Sequence, residues 1–216
     1  MKFKKHPQQK FFNDIGDGKT LQEIADAVML TEGNVKGETI LNNINYIKSE
    51  KGDDAANVIF EEMKKVGYPL EFDKISQHEW YQESYNVLIN LVMKNTFHWK
   101  DDDIFNSGRG AARICFFLRT MIRYLVSPTV LANNASKYWE KQLDFGRLNV
   151  IETNEEERKI IIGVEGYNKS SASCIYQAGY FVELISYSLK NKENLQIEET
   201  KCIYAGDSFH EYTITW

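Results

Sequence analysis

Cysteine is scarce in this chain: Cys115, Cys174 and Cys202 are the full set in 216 residues. An odd number, widely dispersed, is not a disulfide framework, so a reducing, cytoplasmic setting is expected. Basic excess is also missing. The net charge of -5 and pI near 5.5 argue against nucleic acid as a partner, because phosphate binding needs a basic face. No apolar run is long enough for a bilayer: the best one, ICFFLRTMIRYLVSPTVLA, is interrupted by Arg119 and Arg123. The opening MKFKKHPQQKFFND is basic but lacks the apolar segment of a signal peptide. Residues 1–18 are therefore expected to be a flexible tail, and residues 19–216 a single ligand-binding-type domain. A Gly-rich dinucleotide loop is absent, since GDGK and SGRGA read as isolated turns, and no nucleophile–base set stands out. An enzyme is not expected.

Aromatics are plentiful, with 12 Tyr, 12 Phe and 4 Trp to fill a core. The first two-thirds of the chain reads as helices. Thr20 and Glu23 form a capping box ahead of LQEIADAVML. Ile40, Leu41, Ile44 and Ile47 share one face of the next helix, and Val58, Ile59, Met63 and Val66 one face of the third. Ser76 to Glu79 reads as a second capping box, ahead of WYQESYNVLINLVMKN. HWKDDDIFNSGRG reads as a loop whose Asp101–Asp103 run suits a solvated helix start. AARICFFLRTMIRYLV is apolar over a wide face and reads as a central helix. Ser127 and Pro128 suit the cap and first position of another.

After Gly146 the period changes. RLNVIET and RKIIIGVEG read as strands, SASCIYQAGYFVELISYSLKN as a helix, and LQIEETKCIY with FHEYTITW as a hairpin. The fold class is α+β: N-terminal helices, then a twisted antiparallel sheet of about four strands packed with helices.

The last hairpin carries a cysteine before its turn and a histidine after it. A turn centred on Gly206 sets Cys202 opposite His210, close enough to share a metal ion, whereas a two-residue Gly206-Asp207 turn pairs residue 203 with His210 instead. Cys174, on the preceding helix, is a plausible third ligand. Glu199 is a possible fourth. It lies an odd number of residues before Cys202, so a regular strand would turn it to the opposite face, and it needs a bulge or bend.

The stretch CIYQAGYFVELIS with IEETKCIYAGDSFHEYTI resembles the end of the 4-vinyl-reductase domain family. Cys174 followed by Gly179-Tyr180, and the Glu-x-x-Cys of Glu199 and Cys202, match that family's pattern. His210 stands where a third cysteine is expected. The resemblance implies a structural zinc held by Cys174, Glu199, Cys202 and His210. VKGETILNNINYIKSEKGDDAANVIFEEM resembles the opening of haem-nitric-oxide-binding domains, and YWEKQLDFGRLNV resembles the helix end that leads into the sheet of that superfamily, which also includes trafficking-complex (TRAPP-like) domains. The implied function is a sensory domain that binds a small hydrophobic or aromatic ligand, often in a homodimer with a signalling partner. Its expected pocket residues are Trp80, Tyr81, Trp99, Phe116, Phe117, Tyr138 and Trp139. Two other readings are a haem-based gas sensor and a scaffold subunit. Against haem, the histidines are only His6, His78, His98 and His210, and the Tyr-x-Ser-x-Arg motif that the resemblance leads one to expect is absent.

Overall fold

The computed structural model describes residues 1–8, 19–115 and 127–216. Helix α1 (Leu21–Met29) starts where the capping box places it, with the Thr20 amide donating to Glu23 Oε2 at 2.6 Å and the Glu23 amide donating back to Thr20 Oγ1 at 3.2 Å. Strand β2 (Asn34–Lys36) runs into α2 (Gly37–Lys51), followed by α3 (Asp54–Lys65). The apolar stripe of α2 is buried through Ile40, Ile44 and Ile47. On α3, Val58 is exposed while Ile59 and Met63 go inside.

The second capping box does not open a helix. Trp80–Gln82 is a short strand, β3, paired antiparallel with β2, and α4 (Glu83–Thr96) begins after it. Helix α5 (Asp101–Ile114) occupies the stretch read as a loop. Its start is the solvated acidic turn expected, with the Lys100 amide donating to Asp103 Oδ2 at 2.8 Å. Its glycines are helical because of what they face. A Cβ on Gly108 would lie 2.0 Å from the Tyr176 carbonyl oxygen, and one on Gly179 would lie 2.0 Å from that of Phe105. The two helices cross with backbones nearly in contact, and only glycine permits it.

Helix α6 (Pro128–Gln142) has Ser127 as its cap and Pro128 at its start. The Trp139 indole donates to the Phe145 carbonyl at 2.9 Å, and Gly146 takes a positive φ of 65° to swing the chain into the sheet. Strands β4 (Arg147–Asn154) and β5 (Lys159–Glu165) precede α7 (Ser171–Ser186), and β6 (Gln196–Lys201) and β7 (His210–Thr215) follow it. The sheet order is β1-β6-β7-β5-β4. Four strands are antiparallel neighbours, as expected of an α+β fold. The fifth, β1 (Lys2–Lys4), pairs parallel with β6 at the edge, so part of the expected tail is strand. Residues 9–18 of that tail lie outside the described residues. Helix α7 is buried along most of its length, which leaves it as the central helix among those described.

Candidate functional site

Two features stand out, and α7 contributes to both. The first is the four-residue cluster at its N-terminal end. The β6–β7 hairpin turns through a short 3-10 segment, Ile203–Ala205, and Gly206 at φ 103°. Lys201 pairs with Glu211, so the register continues toward Cys202 opposite His210. A bulge between Glu199 and Lys201 then shifts the face of β6, the bend that Glu199 required. Cys174, Glu199, Cys202 and His210 are all buried, and their ligand atoms lie within 4.8 Å of one another.

The hydrogen bonds orient the imidazole. Its Nε2–H donates to the Tyr167 carbonyl at 2.9 Å, which turns Nδ1 toward Glu199 Oε1 at 3.1 Å and Cys174 Sγ at 3.6 Å. The Cys202 amide is held by Asp207 Oδ2 at 2.8 Å. The hydrogen bond from Cys174, helped by His210, pulls the Cys202 thiol down to about 4, while burial pushes the Cys174 thiol well up. Burial opposes charge on His210, but its bonds to Cys202 and Glu199 hold it up at about 9. Glu199 is lifted by burial to about 7, and its Oε2 has no partner. Two sulfurs, an imidazole nitrogen and a carboxylate oxygen form a donor set that a metal ion can use.

The second feature is a largely apolar cavity of about 120 Å³. It lies between α7, α6, the ends of α4 and α5, and the sheet residues Leu148 and Ile162. Tyr176, Tyr180 and Phe181 of α7 line it together with Tyr138 and Trp139 of α6 and Cys115. Its polar wall is Glu83, Asn86, Asn42, Gln142 and Gln177.

Of the expected pocket residues, then, Tyr138 and Trp139 reach this cavity. Trp80 is 44% exposed, with the Lys36 ammonium 3.9 Å over its ring. Tyr81 accepts the Ser76 amide through its hydroxyl at 2.9 Å, and Trp99 packs in the core against Tyr46 and Phe97. None of these three lines the cavity. Phe116 and Phe117 lie outside the described residues. The recurrence of Tyr176, Tyr180 and Leu184 along α7 was the sequence signal for the wall. Glu83 had no such signal.

No family model and no curated protein matches this chain. Solved structures do. An H-NOX protein from S. oneidensis in the Fe(II)NO ligation state superposes with a TM-score of 0.64 at 13% identity, over 83% of this chain and 97% of that one. This chain has the H-NOX fold. An Fe(II) unliganded H-NOX protein from K. algicida gives a TM-score of 0.58 at 10% identity over 83% and 95% of the two chains. An oxygen-binding H-NOX domain related to soluble guanylate cyclases gives 0.55 at 17% over 83% and 94%. The likeness in fold is thus to haem-nitric-oxide-binding domains. Zinc as the cofactor is corrected by the same finding. The H-NOX structures are described by Fe(II) and by haem, not by zinc. No helix among the described residues is long and apolar enough to cross a membrane.

Proposed function

We propose that this chain is a non-enzymatic small-molecule-sensing domain of H-NOX fold, with the cavity as its ligand chamber. The observation that carries the reading is the cavity's position and character, largely apolar and set between the central helix and the sheet. Among its solved neighbours, one is described as an H-NOX protein in the Fe(II)NO ligation state and another as an oxygen-binding H-NOX domain in its oxygen complex. A homodimer and a signalling partner, implied by the sequence resemblance, belong to the same proposal.

The comparisons favour a haem-based gas sensor over a zinc-braced module, so haem must be tested against the residues present. A histidine-ligated haem does not fit them. No histidine lines the cavity. His78 and His98 are exposed, His6 lies 3.9 Å from Asp207, and His210 is held in the cluster. The cavity volume of about 120 Å³ is also below the roughly 300–1,000 Å³ of pockets for larger ligands. Titration of the purified chain with haemin is expected to give no Soret band beyond that of free haemin, while calorimetry against small aromatic and aliphatic compounds detects binding. A stoichiometric Soret band would replace this reading with the haem-based one.

Cys174, Glu199, Cys202 and His210 are proposed as a metal-ligand set that braces α7 against the hairpin. What supports it is the convergence of four donors with one carboxylate oxygen still unpartnered. Elemental analysis of the purified chain is expected to find about one bound transition-metal ion per molecule, lost in Cys202→Ser. A stable, metal-free wild type would remove the assignment.

A further inference from the structure

Glu83 is the first residue of α4, only 2% exposed, and lines the cavity. One of its oxygens is well supplied: Oε1 accepts from the Tyr167 hydroxyl and from Asn86 Nδ2, the latter at 3.1 Å. Asn86 is fixed in turn by Asn43, whose Nδ2 donates to Asn86 Oδ1 at 2.6 Å. The other oxygen, Oε2, is buried and has no donor among the described residues.

The carboxylate also has no ion pair among the described residues. Lys169 acts on it through space, but the Lys169 ammonium donates to the Glu32 carbonyl and lies 4.4 Å from the centre of the Phe145 ring. Buried charges in proteins are ordinarily paired, and an unfilled carboxylate oxygen in an apolar chamber is costly. A second acceptor on the wall is in the same condition. Gln142 donates its Nε2 to Glu38 Oε2 at 3.2 Å, which leaves Gln142 Oε1 without a donor. Two residues of the chamber wall therefore carry unfilled buried acceptors, one of them on a carboxyl group, among aromatic faces that attract cations.

Resting on the reading of the cavity as the ligand chamber, we propose that its ligand is a small organic amine. The apolar body packs against the aromatic wall, and the ammonium donates to Glu83 Oε2 and becomes the counter-ion that Glu83 lacks. The volume of about 120 Å³ sets the size of the body near that of a single six-membered ring, since a cavity of roughly 150 Å³ takes up benzene.

The test is calorimetric, on the full chain, with three probes of similar shape: benzylamine, toluene and benzoate. In the wild type, benzylamine is expected to bind about 10- to 100-fold more tightly than toluene, with benzoate weakest, as one charge-assisted hydrogen bond implies. In Glu83→Gln the preference for the amine is expected to vanish while toluene affinity stays. Equal binding of benzylamine and toluene by the wild type would overturn the amine assignment and leave the chamber reading standing. No binding of any probe would overturn both. The wild-type comparison decides the matter even if the variant fails to fold.

Discussion

His210→Ala is expected to lower the melting temperature by about 10 °C or more, read by calorimetry or by circular dichroism. The reason is what the imidazole holds. His210 and Glu199 are both fully buried, 3.1 Å apart, and Glu199 Oε1 has His210 as its partner while Oε2 has none. Removing one member of a buried pair costs about 3–5 kcal/mol, because the other is left as an uncompensated group away from water. The variant also loses the Nε2–H bond to the Tyr167 carbonyl and the ring's contacts with Tyr204 and Tyr212. For a chain of this size, each kcal/mol moves the melting temperature by about 2–4 °C. A drop below about 2 °C would show that the pair contributes little. Adding Glu199→Gln removes the stranded charge, so the double variant is expected to recover a good part of the loss. A double variant no more stable than the single one would show that the loss of His210 does not leave Glu199 uncompensated.

The cluster was legible in the sequence because its evidence is local. Turn arithmetic around Gly206 offered Cys202 opposite His210 as one of two registers, and the parity of Glu199 demanded the bulge found between Glu199 and Lys201. Helix starts with a side-chain cap were equally readable at Thr20 and Ser127. What the sequence hid depends on contacts between distant segments. Gly108 reads as a breaker until the Tyr176 backbone of α7 is set against it. Trp80 and Tyr81 continue the apolar period of α4, yet pairing with Asn34–Lys36 draws them into a strand. The β1 strand has three residues and no pattern of its own, so β6 alone defines it. Glu83 is the sharpest case. An acid in the first turn of a helix is ordinarily solvated and favoured by the helix dipole. Its burial comes from Tyr167, 84 positions along the chain, and from Lys169 beyond it. That is also why the polar side of the chamber was missed while part of its aromatic side was found.

Glu83→Gln is expected to flatten the pH dependence of stability between pH 5 and pH 8. Burial raises the Glu83 carboxyl from its ordinary 4.5 to about 7, against the opposing pull of Tyr167, Asn86 and Lys169. Between these two values the folded chain keeps a proton that the unfolded chain has released. Stability from this group is therefore complete below about pH 4.5 and is lost as pH rises through 7. At about 1.4 kcal/mol per pH unit, the loss approaches 3 kcal/mol by pH 8. A glutamine has no proton to lose, so this component disappears in the variant. Glu199 shifts in the same direction and His210 also titrates above neutrality, so the wild type and the variant share the remaining slope. The measurement is urea unfolding of both proteins at pH 5 and pH 8. The wild type should lose about 2–3 kcal/mol more than Glu83→Gln over that interval, and parallel profiles would show that Glu83 does not hold its proton in the fold. Benzylamine should reverse the effect in the wild type at pH 8, because an ammonium beside Oε2 favours the ionised carboxylate that burial alone disfavours. The same residue that weakens the empty chamber at high pH would then be the one that fixes its ligand.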